Sequence, residues 1–60
     1  MEPVGKILVV DDDPAMLTAT RLALQAGGHK VFQAADGQGA LEAVRRHQPD
    51  LVLMDVNLTD

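Results

Sequence analysis

Asp11, Asp12 and Asp13 are three consecutive carboxylates that follow the apolar run Ile7-Leu8-Val9-Val10, and Pro14 comes directly after them. A fourth acid, Asp55, follows a second apolar run, Leu51-Val52-Leu53-Met54. Adjacent carboxylates repel one another unless a cation or a proton relieves them. If Asp11, Asp12 and Asp55 approach within several ångströms, a hard divalent cation such as Mg²⁺ suits the site. Mg²⁺ takes one or two carboxylates and keeps waters that phosphate oxygens can replace. An aspartate carboxylate is also a competent nucleophile toward phosphorus, giving an aspartyl phosphate. Phosphoryl transfer needs mainly positioning and charge neutralisation. One nucleophilic aspartate, two cation-holding aspartates and a cation are a sufficient set to begin it.

Such a set must be assembled by the elements around it. Strand one is expected from Lys6 to Val10, because its run Ile7 to Val10 is short, β-branched and continuously apolar, which suits a strand buried on both faces. Pro14 suits the first position of a helix, where its missing N–H is not needed. Asp13 is expected to be the N-cap of that helix and not a metal ligand. Helix one is expected from Pro14 to Gln25 or Ala26, with Met16, Ala19, Thr20 and Ala23 facing the sheet and Leu17 and Leu24 on the flank. Gly27-Gly28 stops it, one of the two in the left-handed conformation.

Lys30 to Ala34 reads as strand two and Asp36-Gly37 as a turn, with Asp36 capping a second helix from about Gln38 to His47. Ala40, Leu41 and Val44 are its expected apolar face, with Ala43 as small neighbour. Pro49 blocks further helix, and Leu51 to Met54 is strand three. His29 and His47 are read as surface residues, because neither has a partner at ligand spacing.

The order is therefore β-α-β-α-β with short connections, which implies right-handed crossovers and a parallel sheet. The two acidic strand ends meet only if strands one and three are neighbours, a 2-1-3 order. That is how a flavodoxin-like doubly wound fold begins, and ligands bind at the carboxyl edge of such sheets.

Composition narrows the function classes. Five Lys+Arg against nine Asp+Glu give a net charge of −4, which disfavours nonspecific binding of a nucleic-acid backbone by this segment. No apolar run approaches the roughly 20 residues that span a bilayer, and the first residues lack a signal-peptide layout. A cytoplasmic location is the expectation, and the absence of cysteine agrees with it. There is neither a disulfide framework nor zinc-finger spacing.

These residues in this order resemble the receiver domain of two-component response regulators. The resemblance rests on Val9-Val10-Asp11-Asp12 after a strand, Pro14 opening a helix, Asp36-Gly37 before helix two, and Leu51-Val52-Leu53-Met54-Asp55 ending strand three. It runs from about Lys6 to Asp60. It implies that Asp55 is the phosphoacceptor, that Asp12 binds Mg²⁺ directly and Asp11 largely through water, and that the backbone carbonyl of Asn57 is a further ligand. It implies a sensor histidine kinase, a phosphotransfer protein or a small phosphodonor as the source of the phosphoryl group. The protein would then be a phosphoacceptor and not a conventional enzyme. Thr59 stands where the family usually has proline.

Receiver domains are about twice as long as this chain, within the usual domain range. The Ser/Thr that ends their fourth strand and the Lys that ends their fifth have no counterpart here. The expectation is thus a partial receiver over residues 1–60, lacking the C-terminal half. Strand three would then be an apolar edge available for self-association.

Two other readings stand beside this one. A haloacid-dehalogenase-like phosphatase also places an aspartate nucleophile after strand one and a second aspartate two residues later. Asp11 and Asp13 have that spacing, although Ala15 stands where Thr or Val is usual. The other reading is a non-catalytic assembly piece with no metal site.

Overall fold

The computed structural model describes residues 5–54. Three strands and two helices alternate: β1 (Lys6–Val10), α1 (Pro14–Ala26), β2 (Lys30–Ala34), α2 (Gly37–His47) and β3 (Leu51–Met54). The sheet is parallel with the order β2-β1-β3, the expected 2-1-3 half of a flavodoxin-like fold. Every element matches its expected span within a residue, α2 starting at Gly37 instead of Gln38.

β1 is central and holds the core. Ile7, Leu8, Val9 and Val10 are all buried, Leu8 completely. Alternation splits them between the two faces of the sheet. Leu8 and Val10 pack with Ala34 of β2 and Ala40 of α2, with Phe32 and Ala43 at the margin. Val9 pairs in register with Gln33, and the Gln33 side chain reaches the Leu17 carbonyl of α1. α2 therefore covers the Leu8–Val10 face and α1 the opposite one.

The helix ends follow from local chemistry. Asp13 caps α1 by accepting from the Ala15 N–H at 2.9 Å, with Pro14 in the first turn. At the other end, His29 N–H bonds the Leu24 carbonyl and Gly28 N–H bonds the Gln25 carbonyl. This is the Schellman pattern, and its left-handed position is Gly28 at φ +93°. Asp36 caps α2 by accepting from Gly39 N–H at 2.7 Å. α2 closes on Gln48 at φ 51°, whose N–H bonds the Val44 carbonyl.

Which flank of each helix is covered differs from expectation. On α1 the half-buried positions are Leu17, Thr20, Arg21 and Leu24, whereas Met16, Ala19 and Ala23 are exposed. α1 leans over β1 and β2, so the flank carrying Met16 overlooks the open side toward β3. On α2, Ala40 is buried and Ala43 half-buried, but Leu41 is 60% and Val44 40% exposed. α2 likewise rests on β2 and β1 through its small residues, which turns the two larger ones outward.

Both histidines depart from the surface reading. His47 is half-buried and stacks on Phe32, ring centroids 3.8 Å apart and 10° between planes. His29 is half-buried, and its Nδ1 is enclosed without a hydrogen-bond partner among the described residues.

Candidate functional site

Asp11, Asp12 and Asp13 lie where β1 hands over to α1, and the turn gives each a different task. Asp11 is tied to β2 by its backbone, its N–H donating to the Ala34 carbonyl at 3.1 Å. One oxygen of its carboxylate, Oδ1, accepts the Asp13 N–H at 3.0 Å. Asp13 Oδ1 is taken by Ala15 N–H, and the Asp13 carbonyl accepts from Leu17 N–H at 3.0 Å. Asp12 is exposed and makes no hydrogen bond among the described residues.

The turn thus commits one oxygen of Asp13 to the helix and one oxygen of Asp11 to its own geometry, and among the described residues leaves Asp12 whole. This bears out the N-cap reading of Asp13. In the phosphatase reading the second aspartate would be Asp13, one oxygen of which is here taken by the Ala15 amide.

Above the turn lies an open depression lined by Val9, Val10, the three aspartates, Met16, Thr20, Leu53 and Met54. It sits between the carboxyl ends of β1 and β3. Open α/β sheets bind ligands in that crevice. Val10 and Met54 are the last register pair of the two strands, so both acidic stretches of the sequence begin from adjacent strand ends.

Among the described residues no three Asp, Glu, His or Cys side chains gather as a metal cage. Asp55 and Asn57, two of the four expected ligands, lie outside the described residues, as does Thr59. What Asp11 and Asp12 present fits a hard cation: one uncommitted carboxylate and one half-committed one, both oxygen donors, at the rim of an open depression. Mg²⁺ is commonly held by one or two carboxylates and several waters.

Gln33 was not singled out by the sequence reading. Its Nε2 donates to the Leu17 carbonyl at 3.1 Å, linking β2 to the first turns of α1. The one available signal was a polar side chain at a strand position whose neighbour in register, Val9, is apolar.

A family profile, the response regulator receiver domain, matches residues 7–60. The chain belongs to that family. Among curated proteins it is 44% identical over 54 residues to the transcriptional regulatory protein KdpE of Mycobacterium tuberculosis, covering 90% of this chain and 24% of the relative. It is 42% identical over 53 residues to the alkaline phosphatase synthesis transcriptional regulatory protein PhoP of Bacillus subtilis, covering 88% of this chain and 22% of the relative. It is 45% identical over 53 residues to the DNA-binding response regulator MtrA of Mycolicibacterium smegmatis, covering 88% and 23%. The chain spans about a quarter of the length of the curated relatives it matches.

Among the described residues no helix is long and apolar enough to cross a membrane.

Proposed function

We propose that this chain supplies the first three strands and the acidic corner of a receiver that accepts a phosphoryl group on Asp55, with Mg²⁺ held by Asp11, Asp12, Asp55 and the Asn57 backbone carbonyl. The reading rests on one observation above others, the Val10–Met54 register pair. Asp11 follows one member of that pair in sequence and Asp55 follows the other.

The donor is a phosphohistidine on a sensor kinase or a phosphotransfer protein, or a small acyl phosphate. A carboxylate oxygen of Asp55 attacks phosphorus, and the new P–O bond forms as the donor's bond breaks: the P–N bond of a phosphohistidine, whose imidazole nitrogen then takes up a proton, or the P–O bond of an acyl phosphate, which leaves as a carboxylate. When bound, the cation neutralises charge on the phosphoryl oxygens and so lets an anion approach a carboxylate. Asp12 holds the cation, while Asp11 fixes the turn through one oxygen and offers the other. The added charge would bias a two-state surface elsewhere in the protein. The reaction is a single acceptance of a group and not turnover of a substrate. A cytoplasmic setting accords with a kinase as donor.

The test maps the covalent species. The chain is incubated with Mg²⁺ and acetyl phosphate, and the acyl phosphate is located by reductive trapping and peptide mass spectrometry. Label on Asp55 is the expected result. Label on Asp11 would reinstate the phosphatase reading, and no label in the presence of Mg²⁺ would refute phosphoacceptance by this chain.

A further inference from the structure

Gln33 belongs to none of the elements that carry acids, yet it closes a ring of hydrogen bonds around them. Its Nε2 donates to the Leu17 carbonyl. Leu17 N–H donates to the Asp13 carbonyl. Asp13 N–H donates to Asp11 Oδ1. Asp11 N–H donates to the carbonyl of Ala34, the residue after Gln33. The circuit starts and ends on β2 and passes through the whole acidic turn except Asp12.

We infer that Gln33 is a positioning residue for the cation site, fixing the acidic turn against β2 so that Asp12 and the open oxygen of Asp11 face the depression together; the inference rests on the reading of that corner as a divalent-cation site. Three of the four links use backbone groups or the Asp11 carboxylate itself. Gln33 is the only side chain in the circuit from outside the turn. Without its donor, α1 keeps its cap and its sheet contacts but loses the polar tie between Leu17 and β2. The Asp11–Ala34 bond is then the remaining hydrogen bond of that circuit to β2, and the turn gains freedom about it.

Gln33 is exposed and lies on an edge strand, so its replacement leaves the apolar core untouched. One hydrogen bond of net effect corresponds to a loosening of roughly three- to tenfold. Partners that orient metal ligands without touching the metal commonly act in this way.

The test uses the full chain with Mn²⁺ as probe, the free ion being followed by electron paramagnetic resonance and displaced by Mg²⁺. Gln33→Met keeps the length and removes the donor, and Gln33→Leu is a second variant should the first fail to fold. The expected result is weaker Mn²⁺ binding by about three- to tenfold, with faster amide exchange at Asp13 and Leu17 and unchanged exchange at Leu8. A general loss of stability would speed Leu8 as well, and that pattern would overturn the inference. Mn²⁺ affinity within about twofold of the parent would also overturn it while leaving the cation site standing. Failure of the parent chain to bind Mn²⁺ would overturn the cation site and this inference together.

Discussion

Val10 and Met54 are register partners at the carboxyl ends of β1 and β3. Two segments separated by most of the chain therefore finish side by side, and in each the next residue is an aspartate. The crossovers through α1 and α2 bring this about. β2 lies on one side of β1 and β3 on the other, so the carboxyl ends of β1 and β3 border the crevice where the strand order reverses.

That arrangement depends on β1 remaining central. Leu8 is fully buried between β2, β3 and α2. Leu8→Ala is expected to remove about 2–5 kcal/mol, comparable with the whole stability of a unit this small, about 3–9 kcal/mol. Circular dichroism should show loss of most helix signal. A folded Leu8→Ala chain with a denaturation midpoint near the parent's would mean that the core is not centred on β1.

The aspartates of the turn should separate in their effects. Asp13→Ala removes an N-cap and is expected to cost about 1 kcal/mol, with divalent-cation affinity nearly unchanged. Asp12→Ala removes no hydrogen bond among the described residues, so stability should hold or rise slightly as like charges are relieved, while cation affinity falls. Thermal denaturation and Mn²⁺ titration of the two variants measure this. The reverse pattern would make Asp13 the ligand.

Much of this was legible in the sequence because it is local. Asp13 before Pro14, Gly27-Gly28 after an apolar periodicity and Asp36 before Gly37 each declare an end of a helix through their own backbone chemistry. β1 was legible because a run buried on both faces is uniformly apolar. The covered flanks of the helices were not. Met16 and Leu41 are as apolar as Leu17 and Ala40, and only the position of the sheet beneath decides which of them is covered. The Phe32–His47 stack and the Gln33–Leu17 bond join residues of separate elements, so no spacing rule announces them. For the site, the strand ends were readable, whereas the division of tasks among the three aspartates needed the geometry of the turn.

Gln48 is a non-glycine residue in the left-handed conformation, φ 51° and ψ 62°. Its side chain gains nothing from that conformation, in which a Cβ is unfavourable. Gln48→Gly is expected to stabilise the chain by about 0.5–1 kcal/mol, the strain relieved being partly offset by the greater freedom of glycine when unfolded. The contrast is Gly28→Ala, where φ is +93° and no atom lies within 4 Å of the added Cβ. Any loss there comes from the backbone alone, about 1 kcal/mol. Chemical denaturation of both variants should give shifts of opposite sign.

Asp50 ties the amino end of β3 to β1 twice. Its carboxylate accepts the Lys6 N–H at 2.9 Å, and its own N–H donates to the Lys6 carbonyl at 2.8 Å. Asp50→Ala keeps the second bond and loses the first, an expected cost of about 0.5–1.5 kcal/mol. Asp50→Asn retains an acceptor and should lose less. Amide exchange at Lys6 reports the bond directly, and equal protection in all three chains would show that it contributes nothing.

The side chains of β3 lie between 38% and 54% exposed although all four are apolar, and among the described strands β3 pairs only with β1. Both faces of this edge strand are thus uncovered, and Met16 of α1 and Leu41 and Val44 of α2 are exposed as well. An apolar edge of this kind is a template for pairing with another strand. Concentration-dependent association is therefore expected in sedimentation velocity. Leu53→Lys places a charge on that edge without touching the buried residues of β1, and it should shift the distribution toward monomer at equal concentration. Unchanged association in Leu53→Lys would place the contact elsewhere, and a parent chain that stays monomeric across the concentration range would show that the edge does not drive assembly.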